Sequence, residues 1–147
     1  MTQLSKYFAL SEMTVSQSAA RRGIKNIPFG KQLDNLRSTA EKMDAIREML
    51  GKPVLVSSGY RNAEVNALVG GSKTSAHCHG LAVDFTCPGY GNPLAVAKAV
   101  LAMGIEFDQL IHEYGAWVHI GFAEPGKPSR RQLLTINKRG TDRKSVV

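Results

Sequence analysis

The sequence predicts a single domain that mixes helices with short strands. Three observations predict it. Over Lys31–Leu50, apolar residues recur at three- and four-residue spacing, the mark of a long amphipathic helix. Two strand-like runs, residues 109–113 and 117–122, are separated by Tyr114, Gly115 and Ala116, a connection that suits a β-hairpin. Between them and the helix lies the stretch 75–84, where ligand-type side chains border a short apolar alternation.

The 147 residues fit one domain and can bury a substantial core. We assign residues 1–137 to that domain and 138–147 to a basic, flexible tail. Composition is that of a globular protein, 43% hydrophobic and 21% charged. The net charge of +7 favours anionic partners, such as nucleic acid, anionic lipid or a cell-wall polymer, and does not choose among them. The basic residues are scattered, which fits a solvated face. No run approaches the ~18 apolar residues of a membrane span, and the start lacks the apolar core of a secretory signal. The expectation is a protein made in the cytoplasm, which reaches any wall substrate only if something delivers it. Cys78 and Cys87 are then free thiols by default, with a disulfide as the alternative.

In chain order, residues 10–13 and 16–22 read as short helices. Ser11 can cap the first and Gly23 can end the second. Residues 24–30, with Pro28, lead to the long helix, whose stripe is Leu33, Leu36, Ala40, Met43, Ile46 and Leu50. Gly51 ends it and Pro53 blocks its continuation. Val54, Leu55 and Val56 read as a short buried strand. A turn over 57–61 follows, and Asn62 can cap a helix to about Leu68. Arg61 stands at this strand-to-helix junction, as open to a cleft as to the surface. Ala82, Val83 and Phe85 read as a buried strand. Asn92 and Pro93 start a helix to about Met103, with Leu94, Ala97, Val100 and Leu101 as its stripe. If Glu113 pairs with Trp117 in the hairpin, then Glu113, Trp117 and His119 share a face. Glu113 and His119 become diagonal neighbours, roughly 5.5–8 Å apart at Cβ. Residues 131–136 read as a last strand.

Asp84 falls inside a core strand, where an unpaired carboxylate is costly to bury. A divalent cation is the simplest remedy, given the imidazole of His77. His119 is a third ligand candidate in another apolar run. Two histidines and one carboxylate match catalytic zinc sites, which leave a fourth position for water. Each residue also has a plainer reading: hydrogen-bonded core histidines, a turn-capping Asp84, a surface Glu113. Cys78 is a further candidate ligand. On an extended chain, however, neighbours face opposite sides, so Cys78 would turn away if His77 faces the metal. His79 and His112 remain for roles beside the ligands or toward substrate.

Amide hydrolysis needs a nucleophile, a proton shuttle and oxyanion stabilisation. Zinc on His77, Asp84 and His119 would activate water and polarise a carbonyl. Glu113 would take and return the proton. Arg61 would stabilise the oxyanion or grip a substrate carboxylate.

Ser75-x-His77-x-x-Gly80-x-Ala82-x-Asp84, followed by Glu113 and Trp117-x-His119, resembles the zinc D-Ala-D-Ala carboxypeptidase and L-Ala-D-Glu endopeptidase family. That family includes phage endolysins and shares its fold with the Hedgehog signalling domain. All five fixed positions of the signature match. Residues 57–61 and 69–71 look like the family's flanking segments, and residues 10–13 with the long helix resemble a short phage and prophage branch. The similarity runs from about Tyr7 to Ile136. It implies an α+β fold with helices packed on a small antiparallel sheet. It implies one Zn2+ ion on His77, Asp84 and His119, Glu113 as general base with Asp108 as the fallback, and Arg61 as an electrostatic residue. The implied activity is hydrolysis of peptide bonds in bacterial peptidoglycan, stem or cross-link, in phage lysis or in a virion. The expected partners are peptidoglycan peptides, with no nucleic acid, and the chain is expected to be a monomer. The alternative is a non-catalytic zinc-containing module of the same fold that binds cell wall or protein. A nucleic-acid binder would rest on charge alone and lacks a basic recognition helix.

Overall fold

The computed structural model describes residues 2–137 and 140–142. Two short helices open it, α1 (Leu10–Met13) and α2 (Gln17–Arg22). Ser11 lies inside α1 rather than capping it. Ala9 precedes the helix, and its N–H donates to the Glu12 carboxylate at 3.0 Å, so the free backbone donor is served from within the first turn. At α2 Gly23 ends the helix as expected, with φ 67°, while Ser16 lies outside it as the cap, its Oγ accepting from the Ala19 N–H. The long helix is α3 (Lys31–Leu50). Leu36, Ala40, Met43, Ile46 and Leu50 of its stripe are buried, and Leu33 is partly so.

β1 (Leu55–Ser58) begins one residue later than expected and is not a buried strand. It lies at a sheet edge, and Leu55 is 54% exposed, because a strand with one neighbour is covered on one side only. α4 (Ala63–Leu68) is capped by Asn62, whose Oδ1 accepts the Val65 N–H at 2.9 Å. Ala76–His79 is a 3-10 turn, not the extended segment expected around His77. Then come β2 (Ala82–Thr86), α5 (Pro93–Ala102), β3 (Gln109–Glu113), β4 (Trp117–Gly121), β5 (Gln132–Asn137) and β6 (Gly140–Asp142). The last strand falls within the expected tail. Residues 138–139 and 143–147 of that tail lie outside the described residues.

The fold is α+β, with a six-stranded sheet in the order β1-β2-β4-β3-β5-β6. Neighbours are antiparallel except β3 and β5, which run parallel with Gln109 beside Gln132. The hairpin takes the expected register, Glu113 beside Trp117. Val83, Phe85, Leu110, Val118 and Ile120 fill one core with the stripe of α3 and with Val96, Ala97 and Val100 of α5. Each of the larger side chains, Val, Leu, Ile, Phe or Met, gains about 1.5–3 kcal/mol on leaving water. Residues alternate across a strand, so Asp84, Ile111, Glu113, Trp117 and His119 belong to the other face. Among the described residues no helix is long and apolar enough to cross a membrane.

Candidate metal centre and active site

His77 is held by its neighbours in sequence and by α3. Ser75 Oγ accepts the His77 N–H, which starts the 3-10 turn, and Gly80 ends it with φ 73°. A side chain at Gly80 would meet the Gln32 carbonyl oxygen at 2.6 Å, so glycine lets the turn close onto α3. Two polar residues of α3 clamp it there: Asn35 Nδ2 donates to the His79 carbonyl at 3.0 Å, and Thr39 Oγ1 to the Gly80 carbonyl at 2.7 Å. Neither residue stands out in the sequence, because they flank the apolar stripe and nothing local marks their distant acceptors.

The His77 side chain is 2% exposed, and its Nδ1 lies 2.7 Å from the Gly59 carbonyl oxygen. A carbonyl only accepts, so Nδ1 carries the hydrogen and Nε2 turns a lone pair inward. Gly59 is placed by α1: the Tyr60 N–H donates to the Met13 carbonyl at 2.8 Å, and a side chain at 59 would collide with the Met13 backbone. In the sequence Gly59 falls within the turn and family-like segment 57–61, and nothing local marks its carbonyl as the partner of His77.

The register of β2 against β4 sets Asp84 beside His119. Asp84 Oδ1 is 2.8 Å from His119 Nδ1 and 3.2 Å from His77 Nε2, and the two rings stand 5.1 Å apart. One ligand atom from each of the three residues lies within 4.8 Å of the others, so they could hold a metal ion. His77 Nε2 is buried and closes no hydrogen bond. Burial also holds this imidazole below its ordinary pKa, against the pull of Asp84. A neutral ring then opposes a nitrogen lone pair to a carboxylate oxygen inside the protein. A cation resolves that conflict, and the donor set of two imidazoles and one carboxylate fits zinc. Burial works against ionisation of Asp84, but its imidazole neighbours, the His119 Nδ1 hydrogen bond foremost, outweigh it and keep the carboxyl well below its usual range.

Glu113 stands at the end of β3, beside Trp117. Burial raises its pKa first and the negative charge of Asp84 adds to this, while His119 and Arg61 oppose them. The Trp117 indole Nε1 is buried without a hydrogen bond, yet close enough to favour the ionised Glu113. Asp108, the fallback acid, sits just before the opposite end of β3. Arg130 engages both its oxygens, Nε at 3.0 and 3.1 Å and Nη2 at 2.8 Å. That pairing holds the Asp108 carboxyl below its usual range, and its place before β3 sets it at the other end of the strand from Glu113.

The Arg61 N–H donates to the His77 carbonyl at 3.1 Å, which ties the α4 junction to the 3-10 turn. Its side chain lines a cleft with Ser57, Ser58 and Asp84, and its Nε is buried without a partner. Asn26 anchors this segment, donating to the Tyr60 carbonyl at 2.8 Å and accepting the Asn62 N–H at 2.9 Å. It lies in a loop that the sequence reading treats only as a link. Cys78 is not in the metal group, and the cause is the 3-10 turn rather than strand alternation. Burial raises its thiol pKa. Both Cys78 and Cys87 are free. His112 pairs with Val118 and so belongs to the core face, away from His119, while His79 is exposed.

A family model described as Peptidase M15 matches residues 6–121, a span that contains Arg61, His77, Asp84, Glu113 and His119. No curated protein matches the chain.

Proposed function

The chain belongs to the peptidase M15 family of zinc D-Ala-D-Ala carboxypeptidases, and from that premise we propose that it is a zinc metallopeptidase that hydrolyses peptide bonds of bacterial peptidoglycan. We assign His77, Asp84 and His119 to one zinc ion, Glu113 to proton transfer and Arg61 to charge stabilisation. The observation that carries the reading is the orphaned His77 Nε2, buried and turned toward Asp84 and His119.

Bound zinc supplies Lewis acidity, for activating water and polarising a carbonyl. The protein supplies the rest. The Gly59 carbonyl fixes the ring orientation and tautomer of His77. Glu113, half-buried and with raised proton affinity, suits a group that takes a proton from water and returns it to the leaving amine. Arg61 offers an unpartnered N–H and a fixed positive charge in the cleft, where a carbonyl oxygen gains negative charge. The net charge of +7 favours association with an anionic wall. The resemblance of residues 10–13 and α3 to a short phage branch supports a role in phage or prophage lysis, or in a virion.

Metal content joined to activity tests this. Protein purified without chelator should carry close to one zinc per chain and release peptides from purified peptidoglycan. Chelator should stop the release and added zinc restore it, and fragment masses then name the bond. Zinc without cleavage of any wall type would replace the enzyme with a binding module. Failure to take up zinc would overturn the ligand assignment.

A further inference from the structure

The sheet edge beside the metal group is open. β1 has β2 on one side and, among the described residues, no strand on the other. Such an edge presents backbone N–H and C=O groups that can pair with another extended chain. Three clefts lie end to end along it. The first and second share Glu12 and Val54. The second and third share Val15 and Val56. The third ends on Arg61 and Asp84, at the metal group. α1 and the start of α2 form the outer wall, and Leu55 and Val15 expose apolar side chains along the course. Val56 pairs with Phe85 and Ser58 with Asp84, which leaves Ser57 as the extra residue of a bulge. Bulges bend a strand and re-aim its residues, and this one lies directly beside Asp84.

We infer that this groove binds the substrate as an extended peptide that adds to β1 as an outer strand and delivers its scissile bond to the His77–Asp84–His119 group. The inference rests on the peptidase reading above and adds the mode of substrate binding. β1 spans Leu55–Ser58, and at about 3.4 Å per residue it pairs with roughly four residues of peptide. The groove therefore selects peptides of four or more residues, while a dipeptide occupies only the end at Asp84. Main-chain pairing supplies affinity whatever the side chains, and apolar groups of the peptide rest on Val15 and Leu55.

Amide hydrogen exchange on the zinc-loaded Glu113→Gln protein tests this, with the soluble pentapeptide stem of peptidoglycan as probe. Binding should slow exchange of alternate amides within residues 54–58 by about tenfold or more. Affinity should rise along a series of two- to five-residue stem peptides. Leu55→Asp, at an exposed position, should weaken the pentapeptide about tenfold and leave zinc content unchanged. Protection confined to other segments, equal affinity for dipeptide and pentapeptide, or no binding at all would overturn the proposal. Protection of β1 that depends on protein concentration without peptide would mark pairing with a second copy, and would also overturn it. Wall cleavage by the unmodified protein is measured separately, so the groove and the hydrolytic assignment can fail independently.

Discussion

At the scale of single residues, chemistry here follows from which groups share a small volume. Glu113 is an ordinary carboxylic acid until burial and Asp84 raise its proton affinity. His77 is an ordinary imidazole until the Gly59 carbonyl claims one nitrogen and burial strips the other of water. Glu113→Gln keeps the size of the side chain and removes its capacity to carry the proton. The variant should keep its fold and its zinc and lose about 10²–10⁴-fold in kcat. His77→Ala, by contrast, should lose zinc. Parallel measurements of metal content and peptide release separate the two. Near-normal turnover in Glu113→Gln would move the proton-transfer role to another residue.

At the scale of elements, the 3-10 turn carries His77 of the candidate metal centre, and its closing glycine carries the turn. Gly80 combines φ 73° with contact against α3, whereas Gly104 has φ 78° and open space around it. The pair separates backbone strain from packing. Gly104→Ala should cost about 1–2 kcal/mol, the left-handed penalty alone. Gly80→Ala should cost roughly 2–5 kcal/mol, because overpacking adds about 1–3. It should also weaken zinc binding by shifting His77. Urea denaturation with zinc titration reads both effects, and equal costs for the two variants would show that contact with α3 is unimportant. The hairpin was readable beforehand, since a short glycine-containing connection between two apolar runs dictates the Glu113–Trp117 register.

At the scale of the whole molecule, the three candidate ligands come from the 3-10 turn, β2 and β4, so a bound ion would tie the α3 side of the fold to the sheet. Zinc that binds only the folded chain stabilises it by mass action, about 4 kcal/mol at a thousandfold excess over Kd. For a chain of this size that corresponds to a Tm lowered by roughly 10 °C on chelation and recovered with zinc. Calorimetry with and without chelator checks it, and an unchanged Tm would contradict the centre.

Periodicity and capping made the five helices and most of the strands readable, because each depends on residues within a few positions. The stripe of α3, Asn62 and Asn92 at helix starts, and the alternation around Asp84 are all local patterns. The spacing of His77, Asp84 and His119 also pointed to one centre, since ligand-type side chains in apolar runs need a partner. Tertiary structure alone decided what spacing cannot encode. The turn at His77 replaced an extended chain because Asn35 and Thr39, some forty residues earlier, offer its carbonyls hydrogen bonds. Gly59 sets the His77 tautomer across the fold, Arg130 pairs with Asp108, and β5 joins β3 in parallel. β1 is an open edge beside the centre because strand order, unlike strand identity, depends on the folding of the whole chain.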